Sequence, residues 1–165
     1  MKAGVFYGIG VGPGDPELIT VKGVRILAEC RHVFVPKARI ATDSLALDIA
    51  RRYVRPDAVI AELVFPMTSD QKELDSKWNA AAESVAEVLK KGENACFLSI
   101  GDVLLYSTYI YLLRALKTRM PGLEIVTVPG ITAFSSAAAL TEFELGAGKQ
   151  PITIIPASDD LSIIE

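Results

Sequence analysis

Short apolar runs alternate with longer amphipathic segments along most of the chain. The apolar runs predict five strands, at 5–11, 32–35, 58–65, 95–100 and 124–128, and the amphipathic segments predict five helices, at 20–30, 44–53, 71–91, 106–119 and 132–140. Because these strands are hydrophobic at nearly every position, we expect both faces of their sheet to be covered. The pattern therefore predicts an α/β fold, with a mostly parallel five-stranded sheet flanked by helices.

The longest predicted helix carries a single apolar stripe. Its apolar residues recur at the spacing that keeps side chains on one helix face, at Leu74, Trp78, Ala81, Ala82, Val85 and Leu89. Since Trp78 belongs to this stripe, we expect its indole ring to be part of the core.

The character of the chain changes after Leu140. The next residues are polar and include glycine, and Pro151 then introduces a new apolar run at 152–155. A strand at this place would have no sheet of its own to join. We therefore predict an N-terminal α/β domain at 1–142, followed at 143–165 by a linker and the first strand of a truncated second α/β domain.

Composition indicates an ordinary globular protein. Half of the 165 residues are apolar and 22% are charged, and no apolar stretch reaches the roughly 20 residues that a membrane-spanning helix needs. We do not expect the opening residues to be a signal peptide, because glycines dilute the apolar run, and Pro13 and Asp15 follow without a small-residue cleavage site. We expect a cytoplasmic protein without membrane contacts. A net charge of −3, with scattered basic residues, argues against a nucleic-acid partner.

The cysteines and the single histidine offer little chemistry. Cys30 and Cys96 lie far apart and outside any Cys-x-x-Cys motif, so we expect buried free thiols and neither a disulfide nor a metal site. His32 lies at the start of a predicted strand, where a structural role is more common than a catalytic one.

Three segments lie just beyond the carboxyl ends of predicted strands, where ligands bind in open parallel sheets. In the first, at 8–20, alternating glycines admit a ligand or a close backbone, although a tight turn capped by Thr20 explains them equally well. This segment matches neither the dinucleotide fingerprint nor the phosphate-binding loop. In the second, Gly101 and Asp102 follow a strand and are candidates to contact a ligand. A turn or cap role is the alternative for Asp102. In the third, at 128–139, small residues leave space at a helix start, but they also suit close packing.

Two basic residues are predicted at the same edge of the sheet. Lys37 and Arg39 follow the strand at 32–35, where they are candidates to bind substrate carboxylates. Solvated surface charge is the alternative interpretation.

Taken in this order, the three segments resemble the tetrapyrrole methylase family over essentially the whole chain. The resemblance rests on Gly-x-Gly-Pro-Gly-Asp-Pro at 10–16, on Gly-Asp at 101–102 with an apolar pair behind it, and on Val-Pro-Gly-Ile-Thr at 128–132. Phe-Pro-Met-Thr at 65–68 and the tryptophan-bearing helix after it are similar to the precorrin-2 C20 branch of the family. Val103 departs from the usual proline at its position, which affects loop rigidity but removes no polar group.

The resemblance implies a methyltransferase that uses S-adenosylmethionine to methylate C20 of precorrin-2, or of its cobalt-containing counterpart, in cobalamin biosynthesis. The cofactor contacts it implies are Pro13, Ile100, Gly101, Asp102, Leu105, Thr132 and Ala133. It also implies a homodimer with a small-molecule tetrapyrrole substrate. No general base is assigned, because positioning an activated methyl donor against an electron-rich carbon supplies most of the acceleration.

Other functions remain open at this point. One is methylation of another tetrapyrrole carbon, or of a protein or RNA acceptor as in diphthine synthases and rRNA methylases of the same family. Another is a non-catalytic α/β module that binds a small ligand. Because the family holds its cofactor between two domains, we expect residues 1–165 alone to be inactive.

Overall fold

Five strands and five α-helices alternate in a computed structural model that describes residues 2–37, 44–65, 68 and 70–156. The strands are β1 (Phe6–Gly10), β2 (His32–Lys37), β3 (Val59–Val64), β4 (Ala95–Ser99) and β5 (Ile125–Val128). The helices are α1 (Val21–Glu29), α2 (Leu45–Ala50), α3 (Gln71–Lys90), α4 (Tyr109–Arg119) and α5 (Ala133–Thr141), with short 3-10 helices at Pro16–Leu18 and Arg51–Tyr53. The five strands and five helices predicted up to residue 140 are all confirmed.

The strands form one sheet in the order β3-β2-β4-β1-β5. Every described pair is parallel, and Phe6 of β1 lies opposite Ala95 of β4 on one side and Ile125 of β5 on the other. The sheet is therefore fully parallel in the described part of the chain, and the carboxyl ends of all five strands lie at one edge.

Two apolar clusters cover the two faces of the sheet. Phe6, Phe34 and Phe97 face the cluster formed with α3 and α4, whereas strand residues such as Ile9 and Leu98 face α1 and α2. The chain steps from β1 to β3 in one direction along the sheet and from β3 to β5 in the other. Right-handed crossovers then place the first two helices on one face and the next two on the opposite face.

The aromatic end of the α3 stripe lies at the margin of the core. Leu74 and Trp78 are half-buried, in contrast to the later members of the stripe. The indole ring of Trp78 stacks on the ring of Tyr111 in α4, with centroids 4.3 Å apart and an angle of 6° between the planes. The prediction of a core tryptophan is corrected accordingly, because at this turn α3 packs against α4 beside the buried cluster.

The residues 151–156 are exposed and form no strand. The strand predicted at 152–155 is absent from the structure because no described strand lies beside it. Apolar side chains in this region are open to solvent, including Leu140 at 84%, Phe143 at 70% and Ile152 at 59% exposure. Within the described ranges, no helix is both long and apolar enough to cross a membrane.

The two cysteines are buried, and His32 pairs with a carboxylate. Cys30 and Cys96 are buried free thiols, as predicted, and the hydrogen bond with Cys30 together with burial raises the pKa of Cys96. His32 begins β2 at the amino edge of the sheet, where its ring nitrogen pairs with the carboxylate of Glu93. This contact lies at the edge opposite the carboxyl ends of the strands and lowers the pKa of Glu93.

Candidate functional site

The loops that follow β1, β4 and β5 meet at the carboxyl edge of the sheet. Gly10, at the end of β1, packs directly against Gly101 and Gly130 of the other two loops. A Cβ atom on Gly10 would lie 2.6 Å from both the Gly101 carbonyl oxygen and the Gly130 amide nitrogen. Side-chain carbons do not approach backbone atoms so closely. Only glycine, which has no side chain, therefore fits at position 10 of this glycine junction.

A two-way hydrogen bond joins the first and second loops. The Gly101 amide donates to the Gly12 carbonyl at 2.8 Å, and the Gly12 amide donates to the Gly101 carbonyl at 3.3 Å. Gly101 has a φ of +64°, a left-handed conformation that favours glycine. Gly101 is buried, but a Cβ atom added to it would meet only the Ile131 carbonyl oxygen, at 3.8 Å, so there is free space beside its Cα atom.

Asp102 ties the second loop to the third. One carboxylate oxygen accepts a hydrogen bond from the Leu104 amide at 2.8 Å, and the other accepts from the Gly130 amide at 2.9 Å. The turn role considered for Asp102 is therefore confirmed, and the tie to Gly130 adds a second function. Both carboxylate oxygens of Asp102 therefore take part in fixing the loops.

A buried pair of hydroxyls holds the loop between β4 and α4. Ser99 Oγ and Ser107 Oγ share a hydrogen bond of 2.7 Å, and Ser107 Oγ also accepts from the Tyr109 amide at 3.1 Å. Between these anchors, Tyr106 has a φ of +51° and is 65% exposed. A bulky residue rarely adopts this conformation, so the anchored loop constrains a tyrosine at the open edge of the sheet.

Gly8 has a different partner from Gly10, the other glycine of β1. A side chain there would overlap the ring of Tyr109, which is fully buried and stacks on Phe6 and Phe97. The Tyr109 hydroxyl shares a hydrogen bond of 2.8 Å with Thr127, and burial raises the pKa of Tyr109. Gly8 therefore makes room for the core and not for a ligand.

Comparison with known proteins decides the family. Residues 5–164 match the family model described as Tetrapyrrole (Corrin/Porphyrin) Methylases. The chain belongs to this family. The cobalt-precorrin-2 C(20)-methyltransferase of Salmonella typhimurium is 36% identical over 152 residues, which are 92% of this chain and 63% of that protein. The probable cobalt-precorrin-2 C(20)-methyltransferase of Methanocaldococcus jannaschii is 37% identical over 155 residues, or 94% of this chain and 65% of that protein.

This tetrapyrrole methylase chain thus spans slightly less than two thirds of the length of the two curated relatives. A solved structure described as the cobalt precorrin-4 methyltransferase CbiF is similar with a TM-score of 0.67 and 27% sequence identity. The similarity covers 92% of this chain and 56% of that one. The predicted family and the predicted α/β architecture are both confirmed.

The seven residues predicted to contact a cofactor lie on the three loops of the methylase sheet edge. Pro13 follows Gly12 and is half-buried, and the segment around it is held by Tyr53, whose hydroxyl donates to the Pro16 carbonyl at 3.1 Å. Thr132 caps α5 by accepting from the Ser135 amide at 3.3 Å. The remaining predicted contacts are Ile100, Gly101, Asp102, Leu105 and Ala133. Their role in binding stays a prediction, but the fold brings the loops that carry them together.

Of the predicted basic pair, the structure describes Lys37. Lys37 ends β2, and its amino group donates to the Glu62 carboxylate at 2.6 Å. Arg39 lies outside the described residues. Lys37 therefore already has a carboxylate partner, and its predicted contact with substrate would compete with Glu62.

The carboxyl edge of the sheet presents apolar side chains and loop backbone more than ionisable groups. Ile100, Leu104, Ile131 and Phe134 are between 36% and 55% exposed around the three loops. This combination suits a ligand with a flat apolar part and a polar end. No cluster of three or more potential metal ligands occurs among the residues that the structure describes.

Sequence reasoning missed Ser99 and Ser107 as loop anchors. Ser99 is a polar residue inside a strand that is otherwise apolar and buried at every position. Such a buried hydroxyl requires a partner, so the serine within the apolar run was the available signal.

Proposed function

We propose that the chain supplies the first α/β domain of an S-adenosylmethionine-dependent methyltransferase that acts on C20 of precorrin-2, or of its cobalt-containing counterpart, in cobalamin biosynthesis. The observation that carries this proposal is the junction of three glycine-bearing loops, in a chain 36–37% identical to proteins named as C20-methyltransferases. Identity to the precorrin-4 enzyme is lower, at 27%.

The geometry of the junction fits the proposed cofactor. The free space beside Gly101 and the small side chains at the start of α5 leave room for a ligand that approaches the main chain. The residues that would hold the cofactor are Pro13, Ile100, Gly101, Asp102, Leu105, Thr132 and Ala133. S-adenosylmethionine, when bound, supplies an activated methyl group on its sulfonium.

The chain's own residues would act by binding and orientation. Leu104, Ile131 and Phe134 present an apolar wall that keeps water from the bound ligands. Asp102 acts on loop geometry through its two amide partners, since neither of its oxygens is free of a hydrogen bond. Orientation of this kind is a large contribution to a bimolecular transfer, so no general base is assigned.

The proposal extends to the partners and location of the protein. The exposed apolar side chains of Leu140, Phe143 and Ile152 support contact with a further domain or a second copy in a homodimer. We place the division between the domains near residue 142, and we propose a cytoplasmic protein with no nucleic-acid partner.

A direct assay tests this function. The purified chain, and any longer natural chain that contains it, would be incubated with precorrin-2 and S-adenosylmethionine carrying a ¹³C-labelled methyl group. We expect mass spectrometry to show one added methyl group for the longer chain and NMR to place it on C20. Absence of methylation would contradict the proposal, and a methyl group on another ring carbon would assign a different branch of the family.

A further inference from the structure

A cavity of about 520 Å³ opens beside the loop between β4 and α4. Its walls include Leu105, Tyr106, Tyr111 and Arg114. A second cavity of about 440 Å³, between α3 and α4, shares Tyr111 and Arg114 with the first. Both volumes lie within the range of small-ligand sites. Leu105, which lines the first cavity, is also one of the residues proposed to hold the cofactor.

Arg114 is the cation common to both cavities. Its guanidinium forms no ion pair with any carboxylate in the described part of the chain. In contrast, Arg119 on the same helix pairs with Glu83, and Lys37 pairs with Glu62. Arg114 therefore offers a planar set of N–H donors. An external carboxylate can accept two hydrogen bonds from them at once, in bidentate geometry.

Tyr106 gives the cavity an aromatic wall on the side of the proposed site. It is 65% exposed in a left-handed backbone conformation, and the Ser99 to Ser107 hydrogen bond anchors the loop that carries it. A strained, exposed aromatic residue beside a cavity is a common feature of ligand sites.

From these observations we infer that the cavity receives one edge of the tetrapyrrole, with Arg114 pairing with a peripheral carboxylate and Tyr106 packing on the adjacent apolar ring. The inference rests on the proposed function. Asp75 lines the second cavity and accepts a hydrogen bond from Gln71 at 2.8 Å. Because this carboxylate repels anions, the substrate carboxylate binds on the Tyr106 side of Arg114.

Two substitutions with opposite expected effects on porphyrin affinity test the assignment. The probe is uroporphyrin III, a porphyrin with eight carboxylates, whose binding to the purified chain is measured by its absorbance change. Arg114→Gln should weaken this binding about fivefold at low ionic strength, and the loss should shrink in high salt. Asp75→Asn should tighten it, because a carboxylate that repels the anionic probe is removed. Lys117→Gln is the matched control, since it removes a positive charge from the same helix outside both cavities.

Separate readouts distinguish this inference from the proposed function. Binding of S-adenosylhomocysteine by calorimetry and the thermal unfolding midpoint should be unchanged in all three variants. An Arg114→Gln effect no larger than that of Lys117→Gln would overturn the inference, and so would wild-type chain that fails to bind uroporphyrin III while it binds S-adenosylhomocysteine. Failure of the wild-type chain to bind either compound would count against the inference, and the methylation assay would then judge the proposed function by itself.

Discussion

At the residue scale, glycines of one short strand serve two unrelated purposes. Gly8 accommodates the ring of Tyr109, whereas Gly10 accommodates the backbone of two neighbouring loops. Both follow from the same absence of a side chain, but only the second is part of the candidate site. A glycine-rich strand end is therefore not by itself a ligand signal.

The Gly8 contact predicts a coupled pair of substitutions. Gly8→Ala should lower the free energy of unfolding by about 1–3 kcal/mol or more, because the added methyl group overlaps a fully buried ring. In a Tyr109→Leu background the same substitution should cost much less. Urea unfolding of the two single variants and the double variant measures the coupling. An equal cost of Gly8→Ala in both backgrounds would contradict the packing described.

The spacing of these glycines was visible in the sequence, but the identity of their neighbours was not. Tyr109 and Gly130 reach β1 only through the order of strands in the sheet, which apolar periodicity does not encode. Trp78 shows the same limit, since its place in an apolar stripe was predicted correctly while its position at the margin of the core depends on Tyr111.

The pairing of Glu93 with His32 predicts a pH dependence of stability. The contact lowers the pKa of Glu93 from its ordinary value of 4.5, so the folded chain binds this proton less tightly than the unfolded chain does. The stability that the pair contributes is present above pH 4.5 and is lost as the pH falls through the lower, folded-state pKa. The wild type and Glu93→Gln would be compared by urea unfolding at several pH values. The wild type should have the higher free energy of unfolding, and this difference should disappear in acid. A constant difference across that range would rule out this linkage.

At the scale of elements, the site is an arrangement of loops fixed by backbone contacts. The Gly12 and Gly101 amides join two of the loops, and the Asp102 carboxylate joins the third through Gly130. The strands and helices that present these loops were predictable, because continuous apolar runs and amphipathic segments have distinct periods. The cross-loop bonds were not, since they join positions that are distant in sequence. The apolar run at 152–155 shows the same limit of prediction from sequence. Periodicity does not reveal whether a partner strand is present, and a strand forms only beside such a partner.

Asp102→Asn tests the coupling between the loops. The amide keeps the size of the side chain but can accept only through one oxygen, so one of the two amide partners loses its hydrogen bond. We expect roughly tenfold weaker binding of S-adenosylhomocysteine by calorimetry, because the loops would no longer be held in one geometry. Asp70→Asn is the control, since Asp70 caps α3 through the Lys72 amide away from the junction. Equal affinities for the two variants would show that the cross-loop bond does not shape the site.

At the scale of the whole molecule, the described residues form a five-stranded sheet with a core on both faces and an exposed apolar surface at α5 and beyond. Buried apolar side chains fill the two clusters, while α5 buries none of its residues and the segment after it is exposed. The sheet should therefore be stable by itself, whereas a ligand at its carboxyl edge would be enclosed on one side only. We expect weak cofactor binding and little methyl transfer from residues 1–165 alone.

The central claim is that the carboxyl edge, at β1, β4 and β5, holds the cofactor. Titration of ¹⁵N-labelled chain with S-adenosylhomocysteine, followed by amide NMR shifts, tests this claim even when affinity is low. We predict saturable shifts at Gly12, Gly101 and Thr132, with none around His32 and Glu93 at the amino edge. Shifts confined to the amino edge, or no shifts at ligand concentrations that saturate a longer chain with methyltransferase activity, would contradict the account.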